Sequence, residues 1–198
     1  MSTIDWHTKR DNFNHDLVPD LIHDLWGGDP QSLKLVGQAY NIVYRFEADN
    51  RGYYLRIGHI ALHPLNEAQH VMHFLRFLAD HDVPVGQPVP SINGKYIEVL
   101  EDGYYAAAQT EAPGEEMTYH VLDVSVYEAW GQSLGKLHAA SCLYQPSKEI
   151  DYQFPTVKQF WKNIEPTVRT STPQIQHIYD TLTEYMNDLS AQDWGLIH

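Results

Sequence analysis

The sequence predicts an α+β fold, in which an antiparallel sheet with one inserted helix is followed by a mainly helical region. Three observations support this expectation. Two segments rich in Val, Ile, Tyr and Phe flank the cluster Asp49-Asn50-Arg51-Gly52, which favours a tight reversal and therefore a β-hairpin. Apolar residues recur at helical spacing across residues 64–82. They do so again through much of residues 126–189.

The composition indicates a globular, acidic protein. Of the 198 residues, 43% are hydrophobic, and the formal net charge is −13. This charge disfavours nucleic acid and anionic membranes as partners, and it would suit a cationic small molecule, although many cytosolic proteins are acidic for solubility alone. Cys142 is the only cysteine, so no internal disulfide can form, and the sequence shows neither a signal peptide nor a membrane-spanning stretch. We therefore expect a cytoplasmic protein.

An amphipathic helix is predicted ahead of the first strand, packed on the outside of the sheet. The cluster Gly27-Gly28-Asp29-Pro30 ends it. Its apolar positions recur at helical spacing, and they are Phe13, Leu17, Leu21, Ile22, Leu25 and Trp26.

The hairpin at residues 35–57 is the part around which we expect the fold to be organised. Gly37 lies where its first strand could bend over a ligand, and Arg56 lies on the returning strand. A bend opposite a cation could hold a polyphosphate. The same residues also fit an ordinary hairpin with a glycine bulge and a surface arginine, since short glycine motifs are weak evidence.

The helix predicted at residues 64–82 starts at Pro64, which suits a first turn because no amide donor is needed there. Glu67 in that turn has two interpretations, a favourable charge near the positive end of the helix or an ion pair with Arg56. The apolar face of this helix consists of Ala68, Val71, Met72, Leu75 and Leu78.

The next segment alternates extended passages with turns. Pro84, Pro88 and Pro90 predict an extended chain, and Asn93-Gly94 is a strong turn signal. Two strands are predicted at residues 96–100 and 104–109, which gives a sheet of four or five antiparallel strands. Residues 110–116 lack periodicity, so we expect a linker between a domain at residues 1–111 and a second domain at residues 112–198.

The second domain is predicted to be helical. Helices are expected at residues 126–137, from residue 160 until Pro166 breaks the pattern, and at residues 175–189. An apolar, strand-like run follows at residues 194–198.

The 12 histidines invite a metal hypothesis, which the spacing does not support. The sequence has no His-Glu-x-x-His pattern and no cysteine cluster, and it also lacks the Gly-x-Ser-x-Gly elbow of serine hydrolases. We expect scattered, solvent-exposed histidines and no metal ligands in the chain.

The order of these elements resembles the aminoglycoside phosphotransferase family, which includes choline, homoserine and fructosamine kinases. Leu134-Gly135-Lys136-Leu137-His138 looks like the first helix of the family's large lobe, and Gly195-Leu196-Ile197-His198 looks like the run into its catalytic loop. The other matching segments are Gly37 to Tyr44 for the nucleotide loop, Tyr54 to Ile57 for the third strand, Glu67 for the helix glutamate, Val83 to Val85 and Pro88 to Ser91 for the proline-rich passage, and Ala112 to Glu115 after the hinge.

The resemblance implies a protein-kinase-like, two-lobed fold and an ATP-dependent phosphotransferase that acts on a hydroxyl of a small molecule. Arg56, where a lysine is more familiar, would contact the α- and β-phosphates and would be oriented by Glu67. Backbone groups near Gln109, Thr110 and Glu111 would hold the adenine edge. The loop over the triphosphate would consist of Gly37, Gln38, Ala39, Tyr40, Asn41 and Val43.

The resemblance also implies that the family's His-Gly-Asp and the following Asn and Asp would come after His198. We therefore expect no catalytic residue and no Mg²⁺ ligand within the chain, and no phosphate transfer by residues 1–198 alone. The alternative is a non-catalytic, truncated kinase-like protein that binds a nucleotide or a partner. The acceptor, the choice between ATP and GTP, and the oligomeric state stay open.

Overall fold

A computed structural model of the chain describes residues 3–114, 123–151 and 157–187. Contacts divide the chain into two compact units. The first comprises Met1–Leu122 and Pro146–Tyr152, and the second comprises Asp123–Gln145 and Gln153–His198. None of the described helices combines the length and the hydrophobicity needed to cross a membrane.

The predicted N-terminal helix is divided into shorter pieces. Helix α1 covers Thr3–Asp11, a 3₁₀ turn covers His15–Leu17, and helix α2 covers Val18–Trp26. The break occurs at Asn14, because its side chain accepts a hydrogen bond from the backbone N–H of Asp16 and so caps a new turn. The end of α2 is where the sequence predicts it, with Gly27 in the left-handed conformation at φ 63°.

Three antiparallel strands follow, β1 at Asp29–Gln38, β2 at Ile42–Ala48 and β3 at Arg51–His59. The predicted hairpin is formed by β2 and β3, and Asp49 and Asn50 make a two-residue turn with φ of 48° and 59°. The first half of the predicted hairpin is not one bent strand but two strands, joined by a loop at residues 39–41.

In the described residues the sheet has six strands, whereas the sequence predicts four or five. Strand β4 is Pro88–Val89, β5 is Glu98–Val99 and β6 is Tyr104–Thr110, in the order β1-β2-β3-β6-β4 with β5 also paired to β6. One additional strand comes from the division of the first hairpin strand into β1 and β2. Another comes from the proline-rich passage, where Pro88 can begin a short edge strand although it lacks an N–H donor. Helix α3, Leu65–Asp80, lies between β3 and β4 in the sequence, as predicted.

The sheet has two differently covered faces. Alternate residues of β2 and β3, including Phe46, Leu55 and Ile57, are fully buried in a core that also contains Val18 and Ile22 of α2. On the other face Ala68 and Met72 of α3 pack against residues of β6. The predicted position of the N-terminal helix outside the sheet is thus confirmed, and α3 covers the face that carries Arg56.

The second unit contributes three helices in the described residues. Helix α4 is Val124–Ser141, α5 is Val157–Arg169 and α6 is Pro173–Asn187. The predicted break at Pro166 is wrong, because α5 continues through it to Arg169. A proline removes one helical N–H donor, and the turns on both sides retain their own hydrogen bonds. The strand-like run at residues 194–198 lies outside the described residues.

Candidate functional site

The first unit contains a cavity of about 330 Å³ between α3 and the sheet. Five polar side chains line it, Asn41, Arg56, His63, Glu67 and Gln109. Apolar side chains make up much of the remaining wall, among them Val71, Met72, Leu75, Ile97 and Ala107. A mostly apolar wall with a few converging polar groups is the usual make-up of a small-molecule site.

Arg56 is the cation of this cavity. Its position in β3 is fixed by pairing with Val43 of β2 and Ala107 of β6. In the described part of the chain, no carboxylate lies within 4.0 Å of its guanidinium. The residue is exposed, yet enough protein surrounds the charged group that burial lowers the pKa of Arg56 below its usual value. An anion placed here would supply the missing counter-charge.

Glu67 lines the same cavity but binds a different partner. Its Oε1 lies 2.8 Å from Nδ1 of His63, one helical turn earlier, and the expected ion pair with Arg56 is not formed in this structure. Burial, together with the negative charge of Glu67, raises the pKa of Tyr105 in the cavity wall to about 12. Glu67 is therefore held on the helix side of the cavity.

The loop between β1 and β2 begins next to a β-bulge. Leu35 pairs with Tyr44 and Gly37 with Val43, so Val36 is an extra residue that bends the end of β1. Within the loop, the N–H of Ala39 donates to the carbonyl of Asn41 at 3.2 Å. The N–H groups of Tyr40 and Asn41 find no acceptor within the described part of the chain. They are available to bind an anion.

The end of β6 is tied down by its own backbone. Thr110 N–H donates to the carbonyl of Gln87 at 2.8 Å, and Glu111 N–H donates to the carbonyl of Gly52 at 3.1 Å. The Glu111 carboxylate lies 3.4 Å from Nε of Arg45. These two amide donors are therefore already used by the protein, whereas the side chain of Gln109 faces the cavity.

A model of the phosphotransferase enzyme family matches residues 33–198, a stretch that includes the loop, Arg56, Glu67 and the end of β6. The chain belongs to the phosphotransferase enzyme family. The predicted resemblance is confirmed.

Curated relatives of this phosphotransferase-family chain are considerably longer. Amicoumacin kinase of Bacillus subtilis is 26% identical over 185 residues, which are 87% of this chain and 53% of that protein. An uncharacterised protein of Synechocystis sp. is 31% identical over 123 residues, which are 60% of this chain and 33% of that protein. The chain thus spans about half the length of the first relative and about a third of the second.

Solved structures of phosphotransferases share the fold. Amicoumacin kinase hAmiN, determined with AMP-PNP, Ca²⁺ and Ami, superposes with a TM-score of 0.77 at 22% identity, covering 97% of this chain and 60% of that chain. Spectinomycin phosphotransferase, determined with ADP and spectinomycin, gives a TM-score of 0.54 at 11% identity and covers 90% of this chain and 60% of that one. At these identities the comparison concerns the fold, and it confirms the predicted kinase-like α+β class.

The cavity between α3 and the sheet is lined by four of the predicted cofactor-binding residues, Asn41, Arg56, Glu67 and Gln109. The others lie outside its lining, and they are Gly37, Gln38, Ala39, Tyr40, Val43, Thr110 and Glu111. Sequence reasoning missed His63 and Tyr105. His63 is four residues before Glu67, and Tyr105 alternates with Ala107 and Gln109 along β6, so both spacings could have indicated them.

The histidines of this chain are less uniform than expected. His59 and His70 are buried, at 4% and 1% exposure, so the prediction of solvent-exposed histidines is wrong for these two. Ala61 N–H donates to Nδ1 of His59, and Nε2 of His59 donates to the carbonyl of Asp102, so the ring serves the fold. In the described residues no three His, Cys, Asp or Glu side chains converge on one point.

Proposed function

We propose that this chain forms the nucleotide-binding part of an ATP-dependent phosphotransferase that acts on a hydroxyl of a small molecule. The observation that carries the proposal is the guanidinium of Arg56, which lies in a cavity without a carboxylate within 4.0 Å among the described residues. The loop at residues 39–41 offers the N–H groups of Tyr40 and Asn41, which have no acceptor in the described part of the chain. A polyphosphate satisfies both kinds of donor at once.

The apolar wall suits the base of the nucleotide. Met72 and Leu75 of α3 and Ala107 of β6 provide apolar surface in the same cavity as Arg56, and Gln109 adds a side-chain amide. Because the N–H groups of Thr110 and Glu111 bind Gln87 and Gly52, the edge of the base would be read by other groups of this segment. This refines the role expected for residues 109–111.

The metal would enter with the nucleotide. Mg²⁺ bound to the nucleotide would neutralise the charge that develops on the phosphates during transfer. The described residues contain no cluster of three metal-ligating side chains. The described residues would contribute to phosphate binding through Arg56 and the loop at residues 39–41.

The acceptor would be a small, cationic molecule with a free hydroxyl. Relatives in sequence or fold are named for amicoumacin, aminopropanol and spectinomycin. The net charge of −13 favours such a molecule over a polyanion. The reaction would take place in the cytoplasm, where ATP is available.

The test is titration calorimetry of the chain with AMP-PNP. Arg56→Ala should weaken binding by about 1–3 kcal/mol, the range for losing a charge-assisted contact, and Arg56→Lys should lose less because it keeps the charge without the planar fork.

Arg51→Ala is the matched control, because Arg51 is an exposed arginine of the same strand at the hairpin turn. It should leave the affinity unchanged. Equal affinities for the wild type and Arg56→Ala would exclude Arg56 as a phosphate ligand.

A further inference from the structure

The N-terminal segment reaches both ends of the loop at residues 39–41. Nη1 of Arg10 donates to the backbone carbonyl of Gln38, the last residue of β1, at 3.3 Å. The ring of His15 contacts the side chain of Gln38 on one side and the hydroxyl of Tyr44, near the start of β2, on the other. Residues before the sheet thus connect the strand that enters the loop with the strand that leaves it.

The donors and acceptors of His15 are complementary to these two neighbours. Nε2 of Gln38 carries only hydrogens, so it donates to Nε2 of His15 across 3.4 Å. The proton of the neutral ring is then on Nδ1, which donates to the hydroxyl oxygen of Tyr44. One imidazole therefore makes two directed hydrogen bonds, one to each side of the loop.

The segment that carries His15 is anchored in the core. Phe13 is buried, and its ring meets the ring of Tyr104 edge-on at 5.1 Å. The hydroxyl of Tyr104 donates to the carbonyl of Lys9 at 2.6 Å. His15 itself is exposed, so its ring can be removed without opening a cavity in the core.

We propose that His15 is a positioning residue for the nucleotide loop. By fixing Gln38 relative to Tyr44, it holds the N–H groups of Tyr40 and Asn41 in one arrangement before the phosphates arrive. Preorganised donors bind an anion more tightly because less freedom is lost on binding. The inference rests on the proposed function, and it assigns to the N-terminal segment a part in recognising the polyphosphate rather than the base.

The experiment compares AMP-PNP with adenosine, which lacks phosphates. His15→Ala should weaken AMP-PNP binding about 3- to 10-fold, the scale of one or two neutral hydrogen bonds, and should leave adenosine binding unchanged. Tyr44→Phe should weaken AMP-PNP in the same way, and the double variant should be no worse than His15→Ala alone. His23→Ala, an exposed histidine of α2 whose partner is the adjacent Asp24, is the matched control and should change neither ligand.

Hydrogen exchange without ligand gives a second, independent readout. In His15→Ala the amides of residues 39–43 should exchange faster, while those of β6 should not change. Unchanged AMP-PNP affinity with unchanged exchange in the loop would overturn the proposal, as would an equal loss for AMP-PNP and adenosine. A wild-type chain that binds neither ligand would overturn the proposed function. If the loop amides of His15→Ala still exchanged faster in that case, the positioning of the loop by His15 would stand without it.

Discussion

The guanidinium of Arg56 and the carboxylate of Glu67 line one cavity and yet bind no common partner. The position of Arg56 is set by β3, which is paired with β2 on one side and with β6 on the other. The position of Glu67 is set by α3 and by its contact with His63. Burial lowers the pKa of Arg56, and a nearby negative charge would raise it again toward its usual value. This guanidinium therefore favours a negatively charged ligand.

The pairing of Glu67 gives a prediction for the chain without nucleotide. Glu67→Gln and His63→Ala should be non-additive in the free energy of unfolding by about 0.3–1 kcal/mol, the scale of a partly exposed hydrogen bond between side chains. Glu67→Gln and Arg56→Lys should be additive, because these side chains are not paired. The measurement is urea denaturation of the single and double variants.

A coupling between Arg56 and Glu67 in the free chain would contradict that prediction. The same cycle, repeated on AMP-PNP affinity, tests whether Glu67 turns to Arg56 when nucleotide binds. Additive affinities would leave Glu67 as the partner of His63 in both states.

At the residue scale, the sequence predicts which residues line one cavity better than it predicts which of them form hydrogen bonds or ion pairs with each other. The order of elements is enough to bring Asn41, Arg56, Glu67 and Gln109 to one cavity. The choice of His63 by Glu67, and of Arg45 by Glu111, depends on differences of a few ångströms between rotamers. Such differences are not encoded in spacing along the chain.

At the scale of elements, Gly58 of β3 leaves the room that the ring of Tyr105 on β6 occupies. A Cβ on Gly58 would lie 2.4 Å from Cζ of Tyr105, its neighbour across the ladder. We predict that Gly58→Ala destabilises the chain by about 1–3 kcal/mol through overpacking, as measured by thermal or urea unfolding.

Gly37→Ala is the control, since a Cβ there meets no atom within 4 Å and the residue has no positive φ. It should change stability by less than about 0.5 kcal/mol. Equal effects of the two substitutions would show that Tyr105 moves aside without cost.

The turn between β4 and β5 depends on a buried carboxylate. Burial would raise the pKa of Glu98, but hydrogen bonds from Ser91 and Asn93 and the charge of Lys95 outweigh it and lower the pKa. A lowered pKa in the folded state means that Glu98 stabilises the fold above its unfolded pKa and loses this effect as the pH falls through its folded pKa.

We therefore predict that Glu98→Gln lowers the free energy of unfolding by about 1–3 kcal/mol at neutral pH. The difference from the wild type should shrink as the pH falls below about 4. Unfolding curves at several pH values measure it. A difference that is independent of pH would mean that the charge of Glu98 contributes nothing.

The elements show where local signals suffice. The turn at Asp49 and Asn50, the end of α2 at Gly27 and the limits of α3 follow from residues that are adjacent in sequence. Strand β4 was missed because its pairing with β6 is made between distant segments. The loop over residues 37–43 was expected from the family resemblance, but its division of the segment into two separate strands was not, because few polar residues mark the loop. Helix α5 passes through Pro166 since tertiary and neighbouring contacts can override one unfavourable residue.

At the scale of the whole molecule, two helices present apolar stripes to solvent. Ile175, Ile178, Leu182 and Tyr185 are exposed on α6 at helical spacing, and Tyr127, Trp130 and Leu134 are exposed on α4. Contiguous exposed apolar surface of this kind promotes association.

We predict that the 198-residue chain self-associates with rising concentration. Sedimentation velocity should show a concentration-dependent mean sedimentation coefficient, and Trp130→Glu and Ile178→Glu should each reduce that dependence. Glu184→Gln, which also changes the charge by one on another side of α6, should have no effect. A chain that stays monomeric at high concentration would show that these apolar stripes do not mediate self-association.

The order of the strands also has a consequence for how the protein folds. Strands β2 and β3 are joined by a two-residue turn, so their pairing is local and needs little loop closure. Strand β6 pairs with β3 from Tyr53 and Thr110 to His59 and Tyr104, and this ladder closes a long loop that contains all of α3. We expect the hairpin to form first and β6 to dock late. The walls of the cavity would then come together only near the end of folding. A ligand would therefore stabilise the product of the last folding step and would not assist the first step.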